Sequence, residues 1–288
     1  MRKTLLILGM LGAGLLLPSV GDYTAVIRPF LMIMLFFSFL KVRLGRELFR
    51  WVHLRIALVA PILAGVAYFG LAQISEPLAR NVFLIVLAPT AVVTPVLVDI
   101  LRGNVPYAIG GILVTHAVWA GALALYLPWV SGSVLNAAEL ATLLFEVGSL
   151  IGLPLLAAQF IRRGGGARVE GVLNKLGGYT LYLFLTNILI AAGRLSQYLR
   201  YEATVELDLL YWIAGAMIIV CATLFPLGAR LGPPTLRTES SLLLGRKNTM
   251  ISIWVALTYL SPLATIGPMV YILVQNVWFA GQVRGVGR

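Results

Sequence analysis

Two adjacent cations, Arg246 and Lys247, lie inside an otherwise apolar stretch that covers residues 242–260. The local sequence is Gly-Arg-Lys-Asn-Thr, so polar side chains follow the two charges directly. A charged side chain at the centre of a membrane helix costs on the order of 2.5 to 3.5 kcal/mol on insertion scales, and such residues mark functional sites by default. We therefore expect a site for an anion here, formed by Arg246, Lys247, Asn248 and Thr249.

A second interruption lies in an earlier apolar segment, where residues 88–95 read Ala-Pro-Thr-Ala-Val-Val-Thr-Pro. A proline inside a helix removes a hydrogen bond and clashes with the preceding turn. Interrupted segments at matching places in two halves of a chain point to a binding site near the membrane midplane. Ordinary kinks, stabilised by neighbouring helices, are the alternative. The binding hypothesis adds three residues to the site: Thr90, Thr94 and Pro95.

The composition indicates a membrane environment for these segments. Of 288 residues, 60% are hydrophobic and 11% are charged, and the mean hydropathy is +0.94. A soluble domain lacks the interior to bury so much apolar surface. A membrane helix needs about 20 apolar residues, and the chain predicts ten such segments, near residues 4–20, 25–41, 54–73, 80–101, 106–130, 137–161, 172–193, 208–229, 239–260 and 263–281. The prediction is an all-α integral membrane protein with one domain over residues 1–288.

The basic residues predict the orientation of the chain. The chain has 22 Lys and Arg residues. Apart from Arg246 and Lys247, the other twenty divide into sixteen on the N-terminal side of the membrane and four on the other. Such a bias places both termini in the cytoplasm, for a bacterial protein at the inner membrane. The formal charge of +11 is then explained by topology and by contacts with lipid headgroups, so no nucleic-acid partner is expected.

Ten segments divide into five plus five, and an odd number in each half inverts the second half relative to the first. The predicted repeats cover residues 1–132 and 133–288, and the interrupted fourth and ninth segments then correspond.

Several stretches resemble the bile acid:sodium symporter superfamily, including its bacterial apical bile acid transporter homologues. Residues 89–105, which end in Arg-Gly-Asn-Val, resemble that family's fourth helix, and residues 245–249 resemble its ninth. Residues 29–34 and the basic turn after Lys41 resemble its second helix. Gln275 and Asn276 fall where members carry His-Asn in the tenth helix.

The resemblance implies a core of helices 3 to 5 and 8 to 10, and a panel of helices 1, 2, 6 and 7. Helices 4 and 9 are then broken and cross at the substrate site, to which Asn276 is added. It also implies a secondary transporter that moves a small organic anion by alternating access. Bile acids, sulphated steroids and small carboxylates are the substrates of the family.

The sodium ligands of the family are replaced here. The corresponding positions hold Thr94, Pro95, Ala108, Ile112, Leu243 and Lys247. A hard cation needs several oxygen ligands, so we expect no sodium, no other metal and no cofactor. The Lys247 ammonium group is instead expected to bond to backbone carbonyls at the negative end of a broken helix. Alternatively, Lys247 and Arg246 pair with acidic neighbours or extend toward an interface.

Two further polar residues are candidates for ion coupling beside Lys247. Glu146 lies within the sixth segment, where it either carries a proton or pairs with a cation such as Lys247. His116 in the fifth segment titrates in the range required for proton coupling, although a packing role is the alternative. Because motifs for catalysis are absent, we do not expect an enzyme. A sensor or scaffold that binds a ligand without moving it is the competing class.

The replaced ligands predict that sodium has no effect on this protein. Exchange of sodium for potassium is expected to leave both the melting temperature and the affinity for an organic anion unchanged. A sodium-dependent rise in either quantity contradicts the prediction.

Overall fold

The computed structural model describes residues 2–40, 45, 48–132, 136–164, 171, 175–202 and 206–286, and these are mostly helical, without a β-strand. The basic turn after Lys41 lies outside the described residues. In chain order the α-helices are α1 Arg2–Leu16, α2 Ile27–Phe39, α3 Trp51–Leu71, α4 Glu76–Leu87, α5 Thr94–Ile100, α6 Val105–Ser131, α7 Ala137–Gly164, α8 Thr180–Gln197, α9 Leu207–Leu231, α10 Arg237–Gly245, α11 Thr249–Tyr259 and α12 Ile266–Val286.

The all-α membrane fold is confirmed. Seven helical segments in the described part of the chain are long and apolar enough to cross a membrane: Pro18–Phe39, Trp51–Leu71, Val105–Ser131, Ala141–Gly164, Gly177–Glu202, Leu207–Leu231 and Pro262–Val283. The other three predicted segments differ, since α1 has only 15 residues and the fourth and ninth segments are each split into two short helices. Ten spans in two inverted repeats therefore stay a prediction.

Local sequence explains where the fourth segment breaks. Helix α4 begins after Ser75, whose hydroxyl caps the Leu78 N–H group. It ends at Leu87 because Ala88, as the residue before Pro89, is extended, with φ −45° and ψ 140°. Helix α5 then begins with a proline in its first turn, the position at which a missing donor costs least.

The chain forms two compact units. The first unit consists of Met1–Leu44 and Leu135–Thr204, and the second consists of Gly45–Val134 and Val205–Arg288. The first unit contains the segments that the resemblance assigns to the panel, and the second contains those that it assigns to the core. Sequentially distant stretches therefore pack together within each unit.

Within the first unit, α1 packs against α8 and α2 packs against α7. The Ser196 hydroxyl donates to the Leu15 carbonyl at 2.7 Å, which ties α8 to the end of α1. The Arg28 guanidinium donates to the Ser149 hydroxyl at 2.8 Å and to the Glu146 carbonyl at 3.3 Å. These bonds satisfy polar groups in an apolar helix bundle, as membrane packing requires.

The second unit holds both broken segments in its interior. Residues 81–91 and 239–256 are buried throughout. A helix that is surrounded by protein on every side can be apolar on every side, which is why both segments look like ordinary membrane spans in the sequence.

The Arg-Gly-Asn-Val stretch joins the two broken segments at one end of this unit. The Asn104 side chain caps α6 by accepting from the Tyr107 N–H group at 3.0 Å. The backbone N–H group of Asn104 donates to the buried Glu239 carboxylate of α10 at 2.6 Å. A Cβ atom at Gly103 would lie 2.8 Å from that carboxylate, so a larger residue there would require the Glu239 side chain to shift.

The close approach at Gly110 in α6 gives a test of this packing. A Cβ atom there would lie 1.9 Å from the Leu48 carbonyl oxygen, whereas one at Gly121 in the same helix meets nothing within 4 Å. We expect Gly110→Ala to lower the free energy of unfolding by about 1–3 kcal/mol through overpacking. The matched control, Gly121→Ala, should be neutral or slightly stabilising because alanine favours helix. Equal melting temperatures for the two variants in detergent would contradict the packing described.

Candidate ligand site at the two broken helices

The breaks in the two interrupted segments pair with each other. Thr90 and Lys247 form an isolated antiparallel bridge. The Ala91 N–H group donates to the Arg246 carbonyl, and the Asn248 N–H group donates to the Pro89 carbonyl, both at 2.8 Å. Buried backbone groups need partners, and each break supplies those that the other requires.

Lys247 bonds to the carboxyl end of α4. Its ammonium group donates to the Val86 carbonyl at 2.8 Å and to the Ala88 carbonyl at 2.9 Å, and the residue is only 2% exposed. Carbonyls in the last turn of a helix lack helical partners and carry its negative partial charge. The expected contact between the ammonium group and backbone carbonyls is therefore present.

Thr90 bonds to the carboxyl end of α10, as Lys247 does to that of α4. Its hydroxyl donates to the Leu243 carbonyl at 2.5 Å, in the last turn of that helix. The Thr115 hydroxyl of α6 lies 3.0 Å from the Thr90 hydroxyl and adds a third segment to the junction. Thr115 is absent from the sequence-predicted site, and its only sequence signal is a hydroxyl beside His116 in an apolar segment.

Arg246 points to α12. Its Nη1 atom donates to the Gln275 carbonyl at 2.8 Å and its Nη2 atom donates to the Asn276 Oδ1 atom at 2.6 Å. The Arg246 Nε atom is buried without a hydrogen-bond partner. Gln275 also accepts from the Lys247 N–H group through its side chain, at 3.0 Å. The structure therefore brings Asn276 into the site and adds Gln275 to it.

The charge of the two cations is not balanced by an acidic side chain. No described Asp or Glu residue forms an ion pair with Arg246 or Lys247, and the ion pairs found are Glu76–Arg80 and Arg194–Glu202. Glu146 belongs to the first unit, whereas both cations belong to the second. Two buried positive charges that rest on neutral oxygens leave the site electropositive, which suits an anion.

The remaining predicted residues lie on or near the breaks in different roles. Asn248 caps α11 by accepting from the Ile251 N–H group at 3.4 Å, and Thr249 is the first residue of that helix. Thr94 and Pro95 begin α5, and the buried Thr94 hydroxyl has no partner. The ring of His116 lies 2.8 Å from the Ile112 carbonyl of its own helix, a contact expected of a packing residue.

A small internal cavity lies beside the junction. Its volume is about 10 Å³, and Thr90, Thr115 and Lys247 supply its polar lining. Such a volume corresponds to about one water molecule. The cavity is too small for an organic ligand.

Comparison with known proteins finds no protein-family model that matches this chain and no curated protein that matches it. The resemblance to the symporter superfamily thus rests on the residues quoted for it and stays a prediction.

The hydroxyl of Thr90 is expected to stabilise the junction. Thr90→Val keeps the shape of the side chain but leaves the buried Leu243 carbonyl without this donor, so the free energy of unfolding should fall by about 1–3 kcal/mol. Thr223→Val is the control, because the exposed Thr223 hydroxyl bonds only within its own helix. Melting curves of both variants measure the difference, and an unchanged Thr90→Val curve would contradict the assigned role.

Proposed function

We propose that this membrane protein is a secondary transporter for a small organic anion, bile-acid-like or a small carboxylate, and that it works by alternating access without sodium. The observation that carries the proposal is the pair of buried cations at the junction of two broken helices, with no acidic partner among the described residues. Intramembrane cations in such a place are typical of substrate and ion pathways.

Lys247 has the central part in this proposal. A mobile sodium ion at broken helices neutralises backbone carbonyls and adds positive charge to a substrate site. The ammonium group of Lys247 does both from within the chain, since it donates to the Val86 and Ala88 carbonyls. A fixed charge therefore replaces the coupling ion, and the site attracts an anion whether or not sodium is present.

The evolutionary part of the proposal is a relation to the bile acid:sodium symporter superfamily with degenerate sodium sites. Under it, the chain has ten spans in two inverted repeats and lies in the bacterial inner membrane with cytoplasmic termini. The interrupted fourth and ninth segments and the Arg-Gly-Asn-Val stretch, which caps α6 and binds α10, support this relation.

Energy coupling is proposed to involve protons, a counter-anion or no ion. Lys247, Glu146 and His116 are the candidates for a proton because each has an ionisable side chain and lies in an apolar segment. Membrane lipids are the remaining expected partners, and neither a nucleic acid nor catalysis belongs to the proposal.

Two alternatives make different predictions. A sodium-coupled symporter requires that sodium raise affinity for the anion. A sensor or scaffold of this fold binds the anion but does not carry it into proteoliposomes. Uptake measured in sodium and in potassium therefore separates all three functions.

The variant Lys247→Gln tests the proposal directly. Glutamine is nearly isosteric and retains a donor for one carbonyl, but it removes the charge, so uptake should fall at least about tenfold. Stability should change little, because removal of a buried charge also removes its desolvation cost. Uptake of radiolabelled acetate, pyruvate, benzoate and cholate into proteoliposomes is measured beside melting curves.

The exposed Lys175 supplies the matched control, and Lys175→Gln should transport normally. Normal uptake and normal stability of Lys247→Gln would remove Lys247 from the mechanism. Severe loss of stability would instead assign to Lys247 a structural role.

A further inference from the structure

The guanidinium group of Arg246 lacks a hydrogen-bond acceptor for one of its three nitrogen atoms. Its two bonds go to neutral oxygens, the Gln275 carbonyl and the Asn276 amide. The third donor site, Nε, is buried and has no partner. Arg246 is only 8% exposed, so bulk water does not supply what is missing.

A buried guanidinium group is better satisfied by a carboxylate than by amide oxygens. Charge-assisted bonds are roughly twice as strong as neutral ones, and the planar fork of arginine matches the two oxygens of a carboxylate. The present partners therefore leave room for a competitor that carries negative charge.

The two present partners differ in how easily they are replaced. The Gln275 oxygen belongs to the backbone of α12, whereas the Asn276 oxygen belongs to a half-buried side chain that can rotate. The half-buried ring of Phe279 also contacts this group, with its centre 5.8 Å from the guanidinium carbon. Displacement of Asn276 is thus the lowest-cost way to admit a ligand.

We propose that Asn276 is a latch that occupies, in the ligand-free protein, the place of a ligand carboxylate on Arg246. The arriving carboxylate accepts from Nε and Nη2, and the released Asn276 amide is then able to donate to it. This inference rests on the proposed function and deepens it: Arg246 binds the carboxylate of the ligand directly, whereas Lys247, already bonded to two carbonyls, contributes only its positive charge.

The latch is tested on the purified protein by melting curves, with no substrate required. Asn276→Asp places a carboxylate beside Arg246, so the melting temperature should rise by about 2–4 °C. The rise should vanish in an Arg246→Gln background. The control is Asn136→Asp, because Asn136 is an exposed cap of α7 whose role aspartate also fulfils.

A small anion provides the complementary test. In Asn276→Ala the guanidinium group loses its side-chain acceptor, and potassium acetate should raise the melting temperature of this variant more than potassium chloride does at equal concentration. The difference should be absent in the double variant Arg246→Gln/Asn276→Ala. No rise in Asn276→Asp, a rise that persists in the Arg246→Gln background, or equal effects of acetate and chloride would each overturn the latch.

Failure of the latch is distinguishable from failure of the proposed function. Uptake by the wild-type protein tests transport, and the melting curves test the site on Arg246. If the latch and the proposed transport function are both correct, the Asn276→Asp variant should be more stable than the wild type. Its uptake should be at least about tenfold slower, because the carboxylate of the introduced aspartate occupies the place of the ligand. Undiminished uptake by that variant would also overturn the latch.

Discussion

Breaking two helices inside an apolar unit leaves backbone groups that no water can satisfy, and the central part of the structure depends on how these groups find partners. The carboxyl end of α4 is satisfied by Lys247, and that of α10 by Thr90. These two residues are themselves bridge partners. Because an unpaired buried backbone group costs as much as a lost hydrogen bond, the breaks are stable only when they meet.

This reciprocal arrangement also determines what the site can bind. Lys247, which donates to backbone carbonyls, brings a basic group into the interior, and its neighbour Arg246 brings a second. Neutral oxygens satisfy the donors but do not cancel the charge. Under the proposed function, the preference for a negative ligand follows from the way in which the backbone is satisfied.

Helix α12 bonds to both cationic residues and to the end of α10. Gln275 bonds to both cationic residues, through its carbonyl and its side chain. The Tyr271 hydroxyl, one turn earlier, donates to the Gly245 carbonyl at the end of α10 at 2.8 Å. Helix α12 thus supplies acceptors to Arg246 and a donor to the end of α10, so it connects the two breaks through hydrogen bonds.

The sequence by itself determined the helical membrane character, because composition and segment length are sufficient for that conclusion. It also located both breaks, since the effect of Pro89 on its neighbours is local, and it left backbone carbonyls and an acidic neighbour as the alternative partners of Lys247. Only the tertiary structure decided which carbonyls these are, and it added Thr115, Gln275 and Tyr271 to the site. Such partners come from distant segments, and their choice depends on how helices pack in a unit built from residues 45–134 and 205–288. No local pattern of hydrophobic residues contains that information.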